Sequence, residues 1–367
     1  MKDVLADFSK RLGCEKFRAY GRVAFRVNEN EYLVNNEDEE LSSSVNYVKK
    51  TGGLFGDIFD SRKNINAIII IKNEEMGNIS KTVYPSLDDL AQIIGTNVKV
   101  AISNSNLDIM KALRRRNGCY IKNYGGISLG KDLNEALAGI RILQKSAYVE
   151  LNAGSIKYLN RFDCLLMNCV YKHKYSKTNK ELLNLPDYPD YEKNLRKDLV
   201  ETGKILVDES IVQGTWGNIS VRLSENEMLI TPSGMDYYDV TEKDMVRLDL
   251  KTMEYGNQRK PSGEKKLHQM IYLKRPDVMA IIHTHSYALS VNAANHKEKP
   301  VDSKLGKLTR GMIPVSGYGL PGTNKLTNAV KKEIENKNAC IIANHGVVCL
   351  GDSLDNVLRM CRLIEES

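Results

Sequence analysis

Short unbroken apolar runs alternate along the chain with stretches whose apolar residues recur at helical spacing, and each kind predicts a different element. Leu199, Ile205 and Leu206 share one face of a helix expected from Leu195 to Glu209. Beyond it, apolar runs predict strands near 218–223, 227–231, 245–249, 278–285 and 340–349, separated by helices near 262–274, 323–335 and 353–365. Sheets and helices must bury their apolar faces against one another, so this order implies a layered α/β sandwich.

Much of the pattern occurs twice. Asn117 to Gly130 matches Asn338 to Gly351, Gly21 to Leu33 pairs without a gap with Gly217 to Leu229, and Ala67 to Lys72 aligns with Ala280 to His285. The second pair reads as two hairpins around Glu-Asn, the third as two short buried strands after a helix. Three anchors in one order imply tandem copies of one domain. A chain of 367 residues also exceeds what one hydrophobic core serves. We expect copies at 1–180 and 181–367, with the boundary in the polar, two-proline stretch from Ser176 to Pro189. The second copy stops at Ser367 inside an expected helix whose counterpart runs on past Ala147 and Glu150, which predicts further sequence at the C-terminus.

Charge adds little to this picture. The net charge of +7 is dispersed, and Arg114-Arg115-Arg116, at an expected helix end, is the only tight basic run; it reads as a solvated helix terminus, and no nucleic-acid partner is expected. No apolar run reaches membrane-spanning length, so no membrane association is expected. Acids among the first apolar residues, Asp3 and Asp7, argue against a secretion signal, and seven scattered cysteines without paired spacing fit a reducing compartment. A cytoplasmic location is expected.

Candidate chemistry concentrates in the second copy, which holds five of the six histidines. In His283-Thr284-His285 the two imidazoles are two residues apart, so on a strand they point to one side and reach one cation. His345, in Asn344-His345-Gly346 at the end of another apolar strand, can close a triad, the glycine letting the backbone turn. Three imidazoles with an open position are a catalytic rather than a structural zinc arrangement. Glu264, opening the helix that leads into the histidine strand, supplies a fourth ligand or a general base. His268 and His296 read as satisfied core residues.

The second copy resembles the class II aldolase and adducin family. The resemblance rests on Gly217-Asn218-Ile219-Ser220, Ile230-Thr231-Pro232-Ser233-Gly234, Lys260-Pro261-Ser262-Gly263-Glu264, His283-Thr284-His285-Ser286, Ile313-Pro314-Val315-Ser316-Gly317-Tyr318-Gly319 and Asn344-His345-Gly346. It implies a three-layer α/β/α sandwich in two tandem copies, with His283, His285, His345 and Glu264 holding Zn2+ or another divalent cation such as Mn2+ or Co2+. It also implies that Glu264 is the catalytic acid/base and Tyr318 a proton donor. Gly217, Asn218, Ser233, Gly234 and Ser262 would cradle the phosphate of a small phosphorylated sugar, where backbone amides and short hydroxyls suit an anion. Gly263 stands where the family often has serine, which weakens one phosphate contact.

The activity so implied is that of a metal-dependent aldolase, a carbon–carbon lyase acting on a ketose 1-phosphate and yielding dihydroxyacetone phosphate and an aldehyde. Breaking that bond leaves an enediolate, which a divalent cation stabilises as a Lewis acid. Alternatives are a methylthioribulose-1-phosphate dehydratase, a 4-epimerase, or an adducin-like scaffold without catalysis. The alignment sets Thr51 opposite Glu264, Ile70 opposite His283, Lys72 opposite His285, Tyr124 opposite His345 and Ser103 opposite Tyr318, so the first copy lacks the metal ligands. Because the family often builds its site between neighbouring subunits, a homo-oligomer is expected, two chains imitating a four-fold ring.

Overall fold

Ala67–Lys72 and Ala280–Thr284 are short, almost wholly apolar runs, and each becomes a central strand with neighbours on both sides. The structure is a computed structural model and describes residues 2–14, 18–36, 39–44, 46–174, 187–212, 215–256 and 258–367. The chain divides into two units, Met1–Lys172 and His173–Ser367. Most of the expected boundary stretch, residues 176–186 of it, lies outside the described residues.

The first unit contains β1 (Tyr20–Arg26), β2 (Tyr32–Asn35), β3 (Glu39–Glu40), β4 (Tyr47–Lys50), β5 (Ala67–Lys72), β6 (Lys99–Ala101), β7 (Gly118–Ile121) and β8 (Gly125–Gly130). Its sheet runs β4-β2-β1-β5-β8-β7-β6, with β3 beside β1. The second unit contains β9 (Asn218–Arg222), β10 (Glu227–Ile230), β11 (Val246–Asp249), β12 (Ala280–Thr284), β13 (Val315–Ser316), β14 (Ala339–Ile342) and β15 (Gly346–Gly351), in the order β11-β10-β9-β12-β15-β14-β13. In both sheets the last pair is parallel and the rest antiparallel.

Register agrees as well as order. Arg22 stands opposite Ile70 and Asn218 opposite His283; Cys119 stands opposite Ile127 and Cys340 opposite Val348. One long-range device also recurs. Arg26 donates to the carbonyls of Phe59, Arg62 and Ile65, and Arg222 to those of Tyr272, Arg275 and Val278. Each guanidinium thus satisfies carbonyls at and just beyond the C-terminus of the helix that precedes the central strand, where a cation also meets the negative end of the helix dipole.

In the second unit, alternate residues face opposite layers. Ile281, Cys340, Ile342, Val348 and Leu350 pack against Leu267 and Ile271 of helix Lys265–Lys274 and Leu326 and Val330 of helix Asn324–Glu333. Fully burying one such side chain stabilises the fold by roughly 1.5–3 kcal/mol. On the other face, the Cα of Gly351, opposite Ala280 in the ladder, points at Val357 of helix Leu354–Glu365.

Two local expectations change. The single strand expected over 340–349 is a hairpin of β14 and β15, because Asn344 takes the left-handed backbone (φ 59) and reverses the chain. The helix expected to begin at Leu195 begins at Asp190, after Pro189. Among the described residues no helix is long and apolar enough to cross a membrane.

Candidate metal centre

β12 delivers His283 from its interior and His285 from just beyond its last residue, and the β14–β15 turn delivers His345. Their ring centroids lie 5.1 Å (His283–His285), 4.8 Å (His283–His345) and 4.7 Å (His285–His345) apart. One ligand nitrogen from each falls within 4.8 Å of the others. The structure thus brings the three rings together, His283 from β12, His285 from just past its end and His345 from a neighbouring hairpin.

Gly346 serves a purpose the sequence does not disclose. A Cβ there would lie 2.2 Å from the Thr284 carbonyl oxygen, so glycine allows the turn to approach β12, while Asn344 makes the bend. Gly217 (φ 79) is similarly required: its Cβ would meet the His283 carbonyl oxygen at 2.6 Å.

Glu264 sits at the N-cap of helix Lys265–Lys274, with its carboxylate turned to the histidines rather than to the helix end. Its Oε2 lies 3.2 Å from His283 Nε2, and its Oε1 lies 3.6 Å from His345 Nε2. His283 Nδ1–H donates to the Val347 carbonyl at 3.0 Å, which leaves the Nε2 lone pair facing the cluster, 3.1 Å from His345 Nε2. Burial pushes His283 down to about 4 against the attraction of Glu264, so the imidazole is neutral at neutral pH. Burial alone would raise Glu264, but His283, His345, His285 and the Asn218 amide together outweigh it and hold the carboxyl at about 2. A neutral His283 beside an ionised Glu264 is the pair of protonation states a divalent cation requires. Glu264 Oε1 is buried without a hydrogen-bond donor, an arrangement that fits a cation as its partner.

A buried hydrogen-bond chain stands behind the carboxylate. Asn218 Nδ2 donates to Glu264 Oε2 at 3.0 Å, and Asn218 Oδ1 lies 2.5 Å from His268 Nε2. His268 Nδ1 lies 2.6 Å from Ser220 Oγ, itself 2.8 Å from the Tyr272 hydroxyl. His268 is thus a satisfied buried residue and also a support of the site, a role that only tertiary structure reveals. His296 is half-buried in left-handed backbone, and its Nε2 lies 2.7 Å from Asn344 Oδ1, next to His345. Trp216, the only tryptophan, lies over His285 with centroids 6.3 Å apart and planes 29° apart.

Of the residues expected at the phosphate, Asn218 opens β9 just after Gly217, and Ser233, Gly234 and Ser262 lie on adjoining loops. Ser262 N–H donates to the Thr231 carbonyl at 3.1 Å and Ser233 N–H to the Lys260 carbonyl at 2.9 Å, so the Ser233-Gly234 loop is clipped to the loop that ends in Glu264. Asn218 has its amide donor engaged by Glu264. Tyr318 lies two residues past β13, half-buried, with Lys325 Nζ 5.7 Å from its ring centroid. Its loop meets the Glu264 loop at Gly322, where a Cβ would lie 2.8 Å from the Gly263 carbonyl oxygen.

In the first unit, the aligned positions hold Ile70, in the apolar core, and Lys72, exposed. The Arg22 guanidinium lies 4.9 Å from the Phe55 ring centroid, aligned with Asn218 and His268 of the second unit. Among the described residues, the three histidines of the second unit are the cluster with metal-ligand spacing.

The model of the class II aldolase and adducin N-terminal domain matches residues 197–367. An L-fuculose phosphate aldolase from Methanocaldococcus jannaschii is 35% identical over 173 residues, 47% of this chain and 92% of its own length. The chain belongs to the class II aldolase and adducin family. Within that family its relatives place it with the metal-dependent aldolases, carbon–carbon lyases. A 5-deoxy-D-ribulose 1-phosphate aldolase from Bacillus thuringiensis is 31% identical over 171 residues, 46% of this chain and 80% of its own length. A solved L-fuculose 1-phosphate aldolase is similar at 30% identity, covering 47% of this chain and 82% of its own, with a TM-score of 0.45.

Proposed function

We propose that the second unit cleaves or forms a ketose 1-phosphate, with dihydroxyacetone phosphate and an aldehyde on the other side of the reaction. The observation that carries this reading is the convergence of three imidazoles and one ionised carboxylate from three separate stretches of chain. His283, His285, His345 and Glu264 would hold Zn2+, Mn2+ or Co2+, which supplies Lewis acidity toward the negative charge that develops beside the ketone.

The proton work falls to the chain's own residues. In the condensation direction, ionised Glu264 removes a proton from the carbon beside the carbonyl, and Tyr318 gives one to the aldehyde oxygen as it becomes a hydroxyl; cleavage reverses both transfers. The Asn218–His268–Ser220 chain fixes the Glu264 carboxylate, so its rotation costs nothing at the moment of reaction. The hydroxyls of Ser233 and Ser262, with the backbone of Gly217 and Gly234, hold the phosphate; Asn218 joins them while keeping its donor on Glu264.

Purified protein is expected to carry about one divalent cation per chain by elemental analysis. It should also convert at least one of a panel of ketose 1-phosphates to an aldehyde. Water loss from methylthioribulose 1-phosphate in place of aldehyde release would favour a dehydratase, and a metal-free, inactive chain an adducin-like scaffold.

The first unit we read as a degenerate copy kept for structure or assembly. The shared strand order, the shared register and the Arg26 and Arg222 brackets support this. Two chains would then present four such domains, and light scattering should return twice the mass of one chain; a monomer would count against it.

A further inference from the structure

The basic run Arg114-Arg115-Arg116 borders a hollow of about 910 Å³ in the first unit. Three more cations line that hollow from other elements: Lys99 of β6, Lys111 of helix Asn106–Leu113, and Arg161, which opens helix Arg161–Lys174. One acid shares the wall, Asp108, and its Oδ2 accepts from Ser103 Oγ at 2.6 Å. Lys111, Arg114, Arg115 and Arg161 pair with no carboxylate among the described residues. Lys99 and Arg116 have neutral partners: Lys99 Nζ donates to Thr82 Oγ1 at 3.0 Å, and Arg116 Nε to Asn97 Oδ1 at 2.9 Å, which fixes the plane of that guanidinium.

A solvated helix end explains part of this. Lys111 lies in the last turn of its helix and Arg114 caps it, where the dipole favours cations. Two features remain unexplained by that reading. Arg115 has φ 102, a conformation that glycine adopts freely and an L-residue only at a cost of roughly 1–2 kcal/mol. Lys99 and Arg161 reach the same concave wall from distant stretches, which concentrates like charge over a floor that includes buried Ile94 and Ala112. Charge predominantly of one sign in a cleft focuses its field outward on counter-ions. Ile102 and Leu165, 76% and 54% exposed, add two apolar side chains to the lining.

The geometry points to a second ligand site in the first unit, for a small anion that carries several phosphates and is of nucleotide size. Guanidinium forks match phosphate oxygens two at a time, and the hollow falls in the size range of small-molecule sites. Ile102 and Leu165 would lie against the less polar end of such a ligand. The cations gather around one hollow rather than along a track, which suits a compact anion over a nucleic-acid strand.

Calorimetric titration of the full chain with tripolyphosphate and with ATP tests the site. Saturable binding that weakens with added salt is expected, and the double variant Lys111→Glu, Arg161→Glu should lower affinity by at least about tenfold. Because only the first unit is altered, the difference between wild type and variant excludes phosphate held near the metal centre. Arg115→Gly separates binding from folding: it should keep or raise the melting temperature while weakening binding. Three results would overturn the assignment: no saturable heat up to millimolar ligand, equal affinities for wild type and double variant, or tighter binding of single-stranded RNA that grows with its length.

Discussion

Replacing His283 by alanine is expected to abolish cation retention and to lower kcat/KM for the ketose phosphate roughly 10^3-fold, about 4 kcal/mol of transition-state stabilisation. His283 is wholly buried, its Nδ1–H is fixed by the Val347 carbonyl, and its Nε2 faces His345 and Glu264 at 3.1 and 3.2 Å. Truncation leaves two imidazoles and a carboxylate with no group to take its place. Elemental analysis and turnover on one preparation check this, and a variant that keeps both cation and activity would remove His283 from the site.

The same substitution carries a proton-linked signature. Burial lowers His283 from 6.5 to about 4, so the unfolded chain takes up a proton across that window and the folded chain does not. Stability of metal-free wild type must therefore fall as pH drops from 6.5 toward 4. The alanine variant lacks the group and should fall less steeply, as read from denaturation midpoints across that range; parallel slopes would contradict the burial argument. His268, lowered chiefly by burial to about 3, contributes to the slope of both proteins.

What could be read from the sequence divides along a physical line. The two-residue spacing pointed to His283 and His285 as a pair, and their rings lie together although β12 ends at Thr284, one residue short of His285. The ordered motifs pointed to the family, and the aligned ladders of β1, β5 and β8 with β9, β12 and β15 follow the matches found between the two halves. The support of the site escaped that reading. His268, Ser220 and Tyr272 show only as a helix face and a strand position, and their chain to Glu264 exists because β9 lies against helix Lys265–Lys274. Trp216 was likewise illegible: its ring reaches His285, which stands 69 residues further along the chain. Gly346 was legible as a required glycine but for a different reason, close approach to β12 rather than the turn itself.

Glu264→Gln should separate metal binding from proton transfer. Three imidazoles remain and the amide fills the same space, so cation content should hold near the wild-type level, while kcat falls roughly 10^2- to 10^4-fold for want of a group that takes and returns the proton. Retained kcat would assign that transfer elsewhere. Asn218→Leu then tests the support behind the carboxylate. The Asn218 donor at 3.0 Å is one of the influences that hold Glu264 at about 2, against burial and together with the stronger attraction of the histidines. Deleting it must raise Glu264, so the acidic limb of kcat/KM should move to higher pH, and the alkaline limb should stay where it is. A drop in kcat with an unmoved acidic limb would mean that Asn218 acts only through packing, because a lost hydrogen bond to the charged form cannot leave the proton affinity of that form unchanged.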